Sequence, residues 1–182
     1  SFRPGADYDT YRPGGERYQM LINQFIPYDI PERDIEWLDY YNDNHEIAAR
    51  KIAKADLIYL TGGLPDKFFE RIEEFNIKPN LEAFNGVMLG ISAGAVIQFG
   101  TYHLSKDDDY KKFDIYPGLN IINDFGVEVH YGDRRRIQDK ALKKANLIIP
   151  RTYYTIPDAG ALIKDGDNII LINGARKHHF KK

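Results

Sequence analysis

The stretch Val87-Met88-Leu89-Gly90-Ile91-Ser92-Ala93-Gly94-Ala95-Val96-Ile97 decides the fold of this chain. An apolar run typical of a buried strand passes through small residues into a second apolar run typical of a helix. The pattern Gly-x-Ser-x-Gly between them marks a sharp strand-to-helix turn, the nucleophile elbow. Such a turn strains the serine backbone and tolerates only small neighbours. It predicts that Ser92 Oγ projects from the sheet edge and that the Ala93 N–H faces a developing oxyanion.

A serine hydroxyl at this position needs a base, which is usually a histidine. Three of the five histidines lie at a helix start far upstream or in the basic tail 176–182. His130 ends a predicted strand over 125–130, so it should meet Ser92 where the carboxyl ends of the strands gather. His103, in the loop after the elbow helix, is the alternative base and could instead line the rim of the pocket.

The sequence pattern does not identify which carboxylate would orient the base. Glu128 lies two residues before His130, so both side chains would share one face of the strand. The acidic loop can equally be a solvated turn. The candidates that fall between the elbow and the base are Asp107, Asp108, Asp109, Asp114 and Glu128.

A second turn that follows a buried strand is Leu60-Thr61-Gly62-Gly63. It should lie on the same sheet edge as the elbow, because parallel strands end together there. A glycine lets a backbone N–H approach a ligand closely. The N–H of Gly63 is therefore a candidate second oxyanion donor.

The fold predicted from these patterns is one α/β domain over residues 1–182. Predicted strands alternate with helices of 10–15 residues, which indicates a mostly parallel sheet with helices on both faces. The C-terminal strands within 153–172 are expected to be antiparallel, with a hairpin at 164–167. Because no strand precedes the first helical stretch, we expect an N-terminal strand to be missing. The predicted elements are helices at 14–25, 44–55, 64–75 and 133–145, strands at 34–40, 56–60 and 125–130, and a loop at 102–117.

The bulk composition excludes several functions. A net charge of −2 gives no overall attraction to nucleic acid or to a membrane surface. The absence of cysteine removes disulfides, thiolate metal sites and a cysteine nucleophile. No apolar run reaches the ~20 residues that span a bilayer. The first residues contain no apolar stretch typical of a signal peptide, so we expect none there. We expect a cytoplasmic protein with no cofactor or metal, a small peptide as its substrate, and a homodimer as an open option.

These segments together resemble the serine peptidase family of aspartyl dipeptidase (dipeptidase E) and cyanophycinase. The resemblance covers about residues 56 to 172. It rests on Leu60-Thr61-Gly62-Gly63, Gly90-Ile91-Ser92-Ala93-Gly94-Ala95, Val127-Glu128-Val129-His130-Tyr131 with Asp133-Arg134-Arg135-Arg136, and Ile156-Pro157-Asp158-Ala159-Gly160-Ala161.

The resemblance implies a class I glutamine amidotransferase-like fold with serine in place of cysteine. It implies Ser92 as nucleophile, His130 as base, and the N–H groups of Gly63 and Ala93 as oxyanion donors. In the dipeptidase branch the acid falls on Asp107. In the cyanophycinase branch it is a glutamate, which has no fixed counterpart in this chain.

Two features bear on the substrate. The dipeptidase branch carries three glycines followed by Asn-Thr, where this chain has Thr61-Gly62-Gly63-Leu64-Pro65, so a strict preference for an N-terminal aspartate is in doubt. Arg134 and Arg135 could hold a substrate carboxylate bidentately, or could be a solvated helical turn. Tyr131, beside His130, could line the pocket or simply pack.

Three functions are compatible with these observations. The first is a serine hydrolase acting on short peptides or isopeptides that contain an acidic residue. The second is an ordinary α/β-hydrolase esterase, for which Ser92 and His130 lie unusually close in the chain. The third is a catalytically inactive domain of the same fold, which binds a small anion through the N–H groups of the elbow.

Overall fold

The computed structural model describes residues 2–132 and 134–180. Helices and strands both occur along it, which confirms the α/β class. None of the helices within these residues is long and apolar enough to cross a membrane. The α-helices within these residues are α1 (Tyr8–Tyr11), α2 (Glu16–Ile22), α3 (His45–Lys54), α4 (Pro65–Glu74), α5 (Lys78–Glu82), α6 (Ala93–Val96) and α7 (Arg135–Ile148).

The strands form four small sheets in the described part of the chain, in place of the one mostly parallel sheet that the sequence predicts. The pairs β1–β2 and β5–β6 are parallel, whereas β3–β4, β6–β9 and β7–β8 are antiparallel. The strands are β1 (Leu57–Leu60), β2 (Val87–Gly90), β3 (Thr101–Leu104), β4 (Asp114–Pro117), β5 (Phe125–Glu128), β6 (Thr152–Thr155), β7 (Ala161–Asp165), β8 (Asn168–Ile172) and β9 (Arg176–Lys177).

The parallel pair β1–β2 places two turns at one sheet edge. Leu60 lies opposite Gly90 in the register, so both strands end together. The Ile91 N–H donates to the Leu60 carbonyl at 3.1 Å just beyond the last pair. The Gly62-Gly63 turn and the elbow therefore leave the sheet side by side.

The helices around this pair begin where the sequence predicts. The Asn44 side chain accepts a hydrogen bond from the Ile47 N–H at 2.9 Å and so caps α3. Pro65 opens α4, where its missing N–H costs no hydrogen bond. Ala48 and Ile72, both fully buried, are members of the main core cluster, to which these two helices contribute.

Two predicted elements differ from the structure. The expected loop at 102–117 contains β3 and β4, which pair antiparallel from Thr101 opposite Pro117 to Leu104 opposite Asp114, so only 105–113 is loop. The expected strand at 34–40 is irregular, with a 3-10 turn at Glu32–Asp34. Alternation in the sequence favours an extended segment, but a strand also requires a paired neighbour.

The C-terminal half also departs from the expected antiparallel arrangement. Strand β6 runs parallel to β5, with Glu128 opposite Thr155, and it is β9 that pairs antiparallel on the other side of β6. Strands β7 and β8 form the hairpin expected at 164–167. Asp133, predicted to cap α7, lies outside the described residues.

Candidate active site

The elbow holds Ser92 in a backbone conformation that side chains rarely adopt. Ser92 has φ 52° and ψ −111° between the end of β2 and the start of α6. A residue other than glycine in such a region costs about 1–3 kcal/mol, and it persists only where the surrounding structure imposes it. This is the strained turn that the Gly-x-Ser-x-Gly pattern predicts.

Both glycines of the pattern are required by close backbone approach. A Cβ on Gly94 would lie 2.0 Å from the Leu60 carbonyl oxygen, and one on Gly90 would lie 2.2 Å from the Gly94 carbonyl oxygen. No side chain fits at these distances, because α6 begins directly against the end of β1. The glycines thus let the helix start close enough to turn Ser92 out of the sheet.

The structure brings Ser92 and His130 together. Ser92 Oγ lies 2.7 Å from His130 Nε2, a hydrogen-bond distance. His130 follows β5 and has φ 52°, so its backbone is also left-handed. This geometry lets a neutral imidazole accept the proton of the serine hydroxyl.

The other ring nitrogen of His130 meets a carboxylate that was not assigned a role from the sequence. His130 Nδ1 lies 2.5 Å from Asp158 Oδ1. Because an ionised carboxylate can only accept, the proton resides on Nδ1 and leaves Nε2 free to accept from Ser92. The His130 and Asp158 side chains are 55% and 65% exposed, so water screens their attraction.

Asp158 was missed because its position depends on a long-range strand pairing. It follows β6, which lies beside β5 and runs in the same direction. The Tyr131 N–H also donates to the Ile156 carbonyl at 3.0 Å, which ties the two strand ends together. The motif around Asp158 is visible in the sequence. Because the C-terminal strands are expected to be antiparallel, however, the sequence does not indicate at which sheet edge the Asp158 carboxylate lies.

Two of the five candidate acids, Asp107 and Glu128, have other hydrogen-bond partners. Asp107 Oδ1 accepts hydrogen bonds from the N–H groups of Asp109 at 2.9 Å and Tyr110 at 2.6 Å, which makes a local turn. Glu128 is buried: its Oε2 lies 2.6 Å from His103 Nε2. Neither carboxylate is the partner of His130 Nδ1; Asp158 is.

The pair His103–Glu128 belongs to the wall of the site. The Ser105 hydroxyl donates to the Glu128 carboxylate, at 2.8 Å to Oε1 and 2.9 Å to Oε2. His103 is 4% exposed and Glu128 6% exposed, so the cluster is largely shielded from water. His103, the alternative base, therefore bonds to Glu128 and not to Ser92.

A cavity of about 240 Å³ contains both expected oxyanion donors and the Ser92–His130 pair. Gly63 and Ala93 are among its lining residues. Gly63 has φ +133°, a conformation favoured by glycine. The Arg3 guanidinium donates to the Gly62 carbonyl and lies 3.5 Å from Thr61 Oγ1, so it braces the same turn.

The three residues expected to contact substrate divide into two groups. Arg134 lines the cavity and forms an ion pair with Asp108. Arg135 and Tyr131 are not among the lining residues. The Arg135 guanidinium lies 5.9 Å from the centre of the Tyr131 ring, and the buried Tyr131 hydroxyl donates to Asp139 at 2.6 Å. Burial of the ring raises the Tyr131 pKa, and the bond to Asp139 raises it further.

Two other features of the described residues lie away from this chemistry. No group of three or more metal-ligating side chains is found within 2–132 and 134–180. A larger cavity of about 820 Å³ lies between β1 and the irregular segment at Ile35, Trp37 and Leu38. It is lined by neither Ser92 nor His130, so the smaller cavity is the candidate site.

The serine has a strained backbone and is hydrogen-bonded to a histidine, which is in turn hydrogen-bonded to a carboxylate. This arrangement is typical of serine hydrolases. The model of peptidase family S51 matches residues 29–172, and the chain belongs to that family. The chain is accordingly a serine-type peptidase, and the resemblance read from its motifs is confirmed.

Solved structures agree with this assignment. A protein assigned as a peptidase E from Listeria monocytogenes EGD-e is 25% identical, covers 75% of this chain and 68% of its own, and has a TM-score of 0.56. A peptidase from an acI-B1 Actinobacterium is 17% identical, covers 94% of this chain and 78% of its own, and shares the fold with a TM-score of 0.59. No curated protein gives a significant match.

Proposed function

We propose that this chain hydrolyses short peptides or isopeptides containing an acidic residue, through an acyl-enzyme on Ser92. The observation that carries the proposal is the continuous hydrogen-bonded chain from Ser92 Oγ through His130 to Asp158. In this proposal Ser92 is the nucleophile, His130 the general base and Asp158 the orienting acid. Ser92 follows β2, whereas His130 and Asp158 follow β5 and β6, which pair in a second sheet. The proposal includes a class I glutamine amidotransferase-like fold, in which both parallel pairs would belong to one sheet.

In the first step Ser92 Oγ attacks the scissile carbonyl while His130 Nε2 takes its proton. The imidazolium that forms is stabilised by the Asp158 carboxylate at Nδ1. The tetrahedral oxyanion would be bound by the N–H groups of Gly63 and Ala93. Each such donor contributes on the order of 3–4 kcal/mol to stabilisation of the transition state.

In the second step the tetrahedral intermediate collapses to the acyl-enzyme. His130 Nε2 returns its proton to the leaving amine, and the C–N bond breaks. A water molecule then attacks the ester carbonyl while His130 accepts its proton. Breakdown of the second intermediate releases the acid product and restores the Ser92 hydroxyl.

The size of the cavity and two cationic side chains in its lining support a short acidic substrate. Asp107 and Glu128 also line the cavity, but their carboxylates are already bonded to protein groups. Pockets for drug-sized ligands are about 300–1,000 Å³, whereas this one is about 240 Å³. Lys106 and Arg134 both line it. A substrate carboxylate would displace Asp108 and form an ion pair with Arg134 in its place. The new ion pair would lie in a more enclosed position than the Arg134–Asp108 pair.

A dipeptide panel tests this preference. We expect Asp-Leu to be hydrolysed with a kcat/KM about 10-fold above Asn-Leu, which has the same shape without the charge, equivalent to about 1.4 kcal/mol. Arg134→Gln should remove most of that ratio. Arg135→Gln is the matched control, because its side chain lies outside the cavity, and it should leave the ratio unchanged.

Equal rates for Asp-Leu and Asn-Leu in the unmodified protein would contradict an acidic preference, while leaving the serine mechanism intact. The remaining parts of the proposal are a cytoplasmic location, turnover without a cofactor, and a homodimer as the assembly to be checked by light scattering.

A further inference from the structure

The backbone at the catalytic histidine is held in an unfavourable conformation. His130 has φ 52°, and Gly132 two residues later has φ 140°. Residues other than glycine rarely adopt this region, so neighbouring groups must impose it on His130.

Gln138, on the first turns of α7, contacts both sides of this turn. Its Nε2 donates to the His130 carbonyl at 2.9 Å and lies 3.4 Å from the Val129 carbonyl. Its Oε1 accepts from the Gly132 N–H at 3.0 Å. One side-chain amide therefore fixes the peptide groups before and after the strained residue.

The amide suits this role because it offers a donor and an acceptor in one plane. Glutamate could accept from Gly132 but could not donate to His130, and leucine could do neither. Gln138 is only 6% exposed, so water cannot easily replace the lost bonds. Without the Gln138 donor, the His130 carbonyl would be buried with no hydrogen bond, which costs free energy of desolvation. The turn would avoid that cost by changing its backbone conformation.

We propose that Gln138 is a positioning residue, which sets the His130 backbone so that the imidazole lies between Ser92 Oγ and Asp158. The role rests on the proposed function only in that it acts through His130. Gln138 also lines the cavity, but its amide oxygen and nitrogen are both bonded to the backbone of the turn. The proposal therefore predicts an effect on proton transfer that exceeds any effect on substrate binding.

Gln138→Leu should lower kcat by about 10–100-fold, by analogy with the loss of the hydrogen-bond partners of metal-bound histidines, with a smaller change in KM. Tyr153→Phe is the matched control. The buried Tyr153 hydroxyl likewise donates to a backbone carbonyl, that of Ile149 at 3.0 Å, but at the far end of α7. It should change kcat less than twofold. If the leucine variant fails to fold, Gln138→Glu, which keeps the acceptor, replaces it.

A double variant separates positioning from general stability. With p-nitrophenyl acetate as substrate, Gln138→Leu should cost nothing further in a His130→Ala background, because residues that act as a unit are not additive. An equal loss in both backgrounds, or wild-type kcat in Gln138→Leu, overturns the proposal.

Amide exchange gives a readout that does not need turnover. The Gly132 N–H should exchange faster in Gln138→Leu and at the normal rate in Tyr153→Phe. Absence of turnover in the unmodified protein would refute the proposed function alone. The Gly132 exchange rate would still test the positioning role of Gln138: faster exchange in Gln138→Leu supports it, and unchanged exchange refutes it.

Discussion

Ser92→Ala should lower kcat/KM for the best dipeptide by about 10⁶-fold, as loss of the nucleophile does in other serine peptidases. The side chain makes the bond to the acyl group, and no other hydroxyl is bonded to His130 in the described structure. Progress curves at high enzyme concentration measure the residual rate. A thermal melt checks that the fold persists.

Ser105→Ala is the control for this substitution. Ser105 also lines the cavity, but its hydroxyl donates to Glu128 and not to the base. We expect less than a tenfold change from it. A Ser92→Ala protein that retained more than one per cent of the wild-type rate would contradict the assignment of the nucleophile.

Asp158→Asn should lower kcat by about 10³-fold. An amide can present its NH₂ group to Nδ1, which favours the tautomer with its proton on Nε2 and so blocks acceptance from Ser92. The comparable substitution in a buried triad costs about 10⁴-fold. We expect less here because the Asp158 carboxylate is 65% exposed, and water takes over part of its electrostatic effect.

Asp107→Asn is the decisive comparison, because the family resemblance points to Asp107 as the acid. Asparagine can still accept from the Asp109 and Tyr110 N–H groups, so the local turn should survive. We expect kcat within about threefold of wild type, measured at saturating substrate beside Asp158→Asn. A large loss in Asp107→Asn with little loss in Asp158→Asn would assign the acid to Asp107.

The elbow could be predicted from the sequence because its causes are local. Gly90 and Gly94 are needed for backbone approach within a few residues of Ser92 and against β1, and the pattern records that need directly. His130 was selected for similar reasons, since it directly follows a run of buried strand residues. Local signals of this kind survive in a single sequence.

The carboxylate that contacts His130 could not be predicted in the same way. Asp158 reaches His130 because β6 pairs parallel with β5, a contact between segments about 28 residues apart. Nothing in the alternation of β6 distinguishes a parallel from an antiparallel partner. The polar composition of residues 102–117 likewise predicts a loop where β3 and β4 occur. These two segments are strands because they pair with each other, which the composition does not indicate.

Labelling with a fluorophosphonate probe, followed by intact-mass spectrometry, tests the central claim most directly. The probe phosphonylates a serine only where a base has activated it, and it needs no knowledge of the substrate. We expect one adduct on the unmodified protein, none on Ser92→Ala, and slow labelling of Asp158→Asn. No adduct on folded, unmodified protein would contradict an activated Ser92 and would favour a domain that binds a small anion without turnover.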